Sequence, residues 1–279
     1  VPELTNIAEA TPLLAALTAA GLTAGFAAGM FGIGGGFVVV PALMAVYTFF
    51  GVDHSVIAHL AIGTSLATII VTSLRSVQAH AERGAVDFEV LKTWAPWIVL
   101  GVAGGLVLAD SVNGIVLTVV FAIGVFLMGL HFVFPVLEPK QPVADEMPKG
   151  PVRAGIATFL GGFSALLGIG GGTIAVLVMT AYGKPIHRAV ATAAGFGAII
   201  AIPGAIGFAI IGWGNQGLPA GSLGYINILG AVAIAAMSFL TAPLGVKAAH
   251  ALNARMLKRI FGLYLLFTSA VMLHGATQL

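Results

Sequence analysis

The chain contains no cysteine, which excludes disulfides, thiolate metal sites and thiol nucleophiles together. Charge is scarce: of 279 residues only 8% are Asp, Glu, Lys or Arg, whereas 59% are hydrophobic. A water-soluble globule needs more polar residue than this to cover its surface, so the chain belongs in lipid. Enzyme signatures are also missing. There is no H-E-x-x-H, no G-x-S-x-G and no G-K-[ST] after a glycine loop. No basic cluster reads as a nucleic-acid surface, and Val1–Pro12, with Glu3 and Glu9 and no basic residue, does not read as a signal peptide. All 10 carboxylates fall in loops or at expected helix ends, which leaves no acid at the midplane for a proton relay. His59, His131 and His187 are expected near helix ends, as interfacial residues.

What is abundant is uncharged apolar sequence. Trp94–Leu108, Gly114–Phe134, Ala189–Ile211, Ile226–Val246 and Ile260–Leu273 approach or reach the length of about 20 residues that spans a hydrocarbon core. The fold class is therefore an all-α polytopic membrane protein, with the lipid bilayer as its obligatory partner.

One long polar segment interrupts this pattern. The Pro-rich stretch 135–153 (PVLEPKQPVADEMPKGPVR) divides a first repeat, 1–134, from a second, 154–279. Each half carries a Gly-Ile-Gly-Gly-Gly run, at Gly32–Gly36 and Gly168–Gly172, followed by three long apolar segments.

Orientation follows from the 12 basic residues, because Lys and Arg concentrate in cytoplasmic loops. Arg75, Arg83 and Lys92 flank one connection; Lys140, Lys149 and Arg153 lie in the linker; Lys184 and Arg188 flank the next; Lys247, Arg255, Lys258 and Arg259 cluster in the last. The connections Gly51–Ser55, Asp110–Asn113 and Gly212–Leu223 contain none. Placing the basic loops inside puts both termini outside and makes the two glycine runs the turns of hairpins that enter from opposite faces. The halves are expected to be inverted-topology repeats, each a Gly-rich re-entrant helical hairpin plus three transmembrane helices. The arm Thr173–Tyr182 rises only about 15 Å as helix, half a bilayer. Six full crossings result, or ten helices if every hairpin arm is counted.

A helix break at membrane depth is tolerated only where protein or a water-filled cavity satisfies the backbone. Glycine lets the chain turn and lets a ligand reach the main chain, and helix N-termini attract anions through free N–H groups. Broken helices between inverted repeats are the usual midplane site of secondary transporters. Gly21, Gly25 and Gly29 have the spacing of a packing face, but three consecutive glycines exceed what helix contact requires. The expected substrate site therefore comprises Gly32, Gly34, Gly35 and Gly36 in the first half and Gly168, Gly170, Gly171 and Gly172 in the second. Thr64, Ser65 and Thr192, at the starts of the following long helices, are the hydroxyls placed to join them. No catalytic residue, metal ligand or cofactor is expected; coupling to sodium or to protons is left open, as is the oligomeric state.

Two Gly-Ile-Gly-Gly-Gly runs, the A-x-G-T-S at Ala61–Ser65 and the loop His80–Asp87 (HAERGAVD) resemble the TauE/SafE sulfite-exporter family. The resemblance spans most of the chain, with Ala193 where the first half has Ser65. It implies a secondary transporter of the bacterial inner membrane that moves sulfite, an organosulfonate such as sulfoacetate, or thiosulfate. A passive anion channel is the competing reading; an intramembrane enzyme or scaffold is a more distant one.

Overall fold

Long apolar runs separated by short polar connections fold as helices, because a chain in lipid must satisfy its backbone hydrogen bonds internally. A computed structural model describes residues 7–31, 35–134, 143–144, 146–251 and 254–277. Among them are ten helices: α1 (Ile7–Phe31), α2 (Gly36–Phe49), α3 (His54–Ala81), α4 (Phe88–Ser111), α5 (Gly114–Val133), α6 (Gly150–Leu166), α7 (Gly172–Ala181), α8 (Ile186–Ile211), α9 (Ile228–Ala251) and α10 (Ala254–Thr277). Two short strands, β1 (Ser222–Leu223) and β2 (Ile226–Asn227), form an antiparallel hairpin between α8 and α9, with Ser222 opposite Asn227.

Helix starts follow from capping residues. Asp53 accepts from the Ser55 N–H at 2.7 Å before α3, Asp87 from Val90 at 3.2 Å before α4, and Asn113 from Val116 at 2.9 Å before α5. Each satisfies one of the donors that a helix N-terminus leaves open. Helix α6 begins inside the expected linker, with a proline in its first turn, where the missing N–H is harmless.

Helices α3, α4, α5, α8, α9 and α10 are long and apolar enough to cross a membrane, which agrees with the expected six crossings. The hairpin arms are unequal. Helix α7 has 10 residues and α2 has 14, about 15 and 21 Å of rise, whereas α1 runs 25 residues, about 37 Å. The first arm of the first hairpin is thus longer than the half-depth arm expected from the sequence.

The packing is regular: α1 lies along α9, α4 along α6, α5 along α10, and α3 crosses α8. Helix α3 is the central element, 72% buried over its apolar window against 22% for α9 and for α10, whose remaining faces are free to meet lipid. Close approach explains two of the packing glycines. A Cβ on Gly21 would stand 2.8 Å from that of Met237, and one on Gly25 would collide with the Ser238 backbone. The surroundings of Gly29 lie outside the described residues. His187 is exposed as expected, but His59 and His131 are buried. His59 Nε2 is 2.8 Å from the Ala109 carbonyl oxygen and its ring stacks on Tyr225 at 4.8 Å. An imidazole so placed ties α3 to the end of α4 rather than facing headgroups.

Candidate functional site

The second glycine run builds a tight reversal between α6 and α7. The Leu167 N–H donates to the Phe163 carbonyl at 3.1 Å, Gly168 to Ala165 at 3.2 Å and Ile169 to Ser164 at 3.0 Å, which closes α6. Gly168 and Gly171 then take φ of +58° and +65°, a left-handed conformation that L side chains resist. Helix α7 restarts at Gly172, and no side chain caps its first turn. In the first run Gly32 and Gly34 lie outside the described residues. Gly35 is the N-cap of α2, where its carbonyl accepts from Val38 at 2.9 Å and Val39 at 2.8 Å, again without a side-chain cap. Two uncapped helix N-termini therefore leave backbone donors beside the breaks.

The two runs meet. A Cβ on Gly36 would stand 2.6 Å from the Gly168 carbonyl oxygen and 3.0 Å from the Ile169 Cα. Ser65 Oγ donates to that same Gly168 oxygen at 2.8 Å. Gly168 also abuts Ile62 of α3, and Gly170 abuts Gly197 of α8, so the breaks sit against the middle of the two crossing helices. Chain segments more than 100 residues apart thus converge on one point, and only glycine allows them to come so close.

Thr64 and Thr192 are fully buried, and each accepts a hydrogen bond from a connection of the other half. Thr64 Oγ1 accepts from the Asn227 N–H at 2.9 Å, and Thr192 Oγ1 from the Asp87 N–H at 2.9 Å. Of the three hydroxyls expected at the site, Ser65 reaches the glycine tips, whereas the two threonines hold the α8–α9 and α3–α4 connections against α3 and α8. Gly36, Gly168, Gly170 and Gly171 are brought together; Gly172 opens α7 beside them.

Two further hydroxyls belong to the same region. Ser164, in α6 four residues before Gly168, is fully buried, and Thr173, directly after the run, is buried as well. Neither Ser164 Oγ nor Thr173 Oγ1 has a hydrogen-bond partner. The sequence offered a signal for both: they are the polar interruptions in the apolar stretch GGFSALLGIGGGTIAV. Among the described residues there is no cluster of His, Asp or Glu able to hold a metal ion. The groups described at the breaks offer donation from N–H groups and hydroxyls, in a low-dielectric setting where such bonds are strong.

Comparison with known proteins points to a family of membrane transporters. The family model for the sulfite exporter TauE/SafE matches residues 17–272. A probable membrane transporter protein of Haemophilus influenzae is 35% identical over 246 residues, covering 88% of this chain and 92% of its own length. Another, from Methanocaldococcus jannaschii, is 27% identical over 91% of this chain and 95% of its own. A third, from Bacillus subtilis, is 30% identical over 58% of this chain and 66% of its own. No solved structure matches the chain.

Proposed function

The chain belongs to the sulfite exporter TauE/SafE family and is a membrane transporter, not an enzyme, and from that premise we propose a secondary carrier for small sulfur-containing anions. Sulfite, an organosulfonate such as sulfoacetate, or thiosulfate binds where the two glycine runs meet. The carrier works by alternating access across a bacterial cytoplasmic membrane, with both termini outside. The observation that supports this reading most directly is the contact between Gly36 and the Gly168 carbonyl, with uncapped helix N-termini on both sides. Such ends favour anions through their free N–H groups and their dipoles.

The packing fits an inverted repeat. Exchanging α1 with α6 and α4 with α9 turns the α1–α9 contact into the α6–α4 contact, while α3–α8 and α5–α10 exchange partners across the same relation. The two threonine bonds, Thr64 to Asn227 and Thr192 to Asp87, correspond in the same way. Rocking one half on the other about such a centre opens each side in turn.

Radiolabelled sulfite uptake into proteoliposomes tests the proposal. Preloading with unlabelled sulfite should accelerate uptake, and uptake should saturate. Flux that rises linearly with concentration and ignores preloading would mean a channel. Parallel assays with sulfoacetate, thiosulfate and sulfate, with and without sodium, identify the substrate and the coupling ion.

A further inference from the structure

The two glycine runs are alike in sequence, but their surroundings differ. Aligning Gly32–Gly36 with Gly168–Gly172 places Ala28 against Ser164 and Phe37 against Thr173. Phe37 is buried and packs edge-on against Phe261, with ring centroids 6.4 Å apart. The second run has hydroxyls where the first has a methyl group and a phenyl ring.

Those hydroxyls are unpaired. Ser164 Oγ and Thr173 Oγ1 are shielded from solvent and bond to nothing among the described residues, a condition that is costly for a buried polar group. Threonine in a helix ordinarily returns its hydroxyl to a carbonyl one turn back, as Thr68 does to Thr64 at 3.0 Å. Thr173 stands at the start of α7, and its hydroxyl takes no such bond. Ser164 Oγ faces the same turn: a Cβ on Gly171 would come within 3.0 Å of it. No backbone bond among the described residues uses the Gly170 or Gly171 N–H. Ser164 Oγ and the open N–H donors thus meet at the turn before α7, and the second orphaned hydroxyl, that of Thr173, belongs to the first turn of α7 itself.

Resting on the carrier reading above, we propose that the anion is held from one side only, by Ser164 Oγ, Thr173 Oγ1 and the N–H groups that open α7. The first run supplies close packing and an apolar wall at Phe37. All these ligands are neutral, so the site suits an SO3-type head bearing a single charge, because the cost of desolvating an anion rises steeply with its charge. Leu160 and Ile200 cover the turn, and the head enters when these two side chains swing away from Gly171.

The test is counterflow in proteoliposomes at mildly acidic pH with hydrogensulfite, methanesulfonate and sulfate as probes, comparing wild type with Ser164→Ala, Thr173→Val, Thr173→Ser and the control Thr68→Val. A hydrogen bond to a charged partner corresponds to about a tenfold or larger change in affinity. Ser164→Ala and Thr173→Val should therefore raise KM at least tenfold for the transported singly charged probes, and Thr173→Ser and Thr68→Val should leave it near wild type. Sulfate should compete weakly in every protein. Thermal unfolding without anion should be unchanged or improved in Ser164→Ala and Thr173→Val, because neither hydroxyl has a protein partner to lose. Wild-type KM in both variants, or lower anion-free stability in both with KM unaltered, overturns the ligand assignment and leaves the carrier reading standing. A wild-type protein that carries none of the probes overturns the carrier reading and this assignment with it.

Discussion

Lys184 Nζ lies 2.9 Å from Asp87 Oδ2 and joins the α7–α8 connection to the α3–α4 connection. Asp87 has two further tasks: Oδ1 caps α4 at Val90, and its N–H donates to Thr192. Asn227 is its counterpart in the other half, with Oδ1 accepting from Gly230 at 2.6 Å and its N–H donating to Thr64. Among the described residues only the Asp87 side carries an ion pair.

Asp87→Ala removes a helix cap together with the ion pair and should destabilise the protein by about 1–2 kcal/mol. Lys184→Ala removes only a partly exposed pair, worth below about 1 kcal/mol. Thermal unfolding of the two purified variants measures the difference. Equal losses would show that the cap contributes nothing.

Burial raises the Asp87 carboxyl, but the Lys184 and Val90 hydrogen bonds and the charges of Lys184 and Arg188 outweigh it and hold the group below its ordinary 3.8. A carboxyl depressed in the folded state contributes stability above its unfolded pKa and loses it as pH falls through the folded value. The gap in unfolding temperature between wild type and Asp87→Asn should be constant from pH 5 to pH 8, at roughly ordinary carboxylate titration limits, and shrink below about pH 4. A gap that changes between pH 6 and pH 8 would assign the dependence to another group.

Ser65→Ala leaves the buried Gly168 carbonyl without its donor and should cost about 1–3 kcal/mol, with transport impaired because the second tip loses its bond to α3. Thr68→Val, whose hydroxyl only returns to its own helix, should cost less than about 1 kcal/mol. Unfolding midpoints and initial uptake rates, measured on both variants, distinguish a role of Ser65 in holding the tip from generic hydroxyl loss.

Gly161 and Gly155 share helix α6 but not its contacts. A Cβ on Gly161 would collide with the Ile98 carbonyl, whereas one on Gly155 meets open space. Gly161→Ala should lose about 1–3 kcal/mol through overpacking against α4, and Gly155→Ala should be neutral or gain up to about 1 kcal/mol. Size-exclusion profiles after heating detergent-solubilised protein will separate them; matching profiles would contradict the α4–α6 packing.

The absence of cysteine makes orientation directly measurable. Single substitutions Asn215→Cys and Glu82→Cys, both at exposed positions, should label from opposite sides of intact cells, Asn215→Cys from outside. Labelling of both from the same side would remove the inverted arrangement.

The sequence by itself determined the lipid environment, six helices long and apolar enough to cross it, and the existence of two helix breaks. Each of these depends on local composition: run length sets span length, glycine sets the break, and Asp53, Asp87 and Asn113 set helix starts through bonds to residues two or three positions away. The family was legible too, since its marks are contiguous motifs. The helix breaks were legible in the sequence, but the partners of the hydroxyls around them were not. Thr64, Ser65 and Thr192 sit at comparable places in sequence, yet only Ser65 turns toward Gly168, while Ser164 and Thr173 reach the turn unpartnered. Which hydroxyl is satisfied depends on which distant N–H or carbonyl lies within 3 Å or so, and that is set by how α3, α6 and α8 cross. Composition selected the solvent and the breaks; tertiary packing decided which hydroxyls at the breaks found a protein partner and which did not.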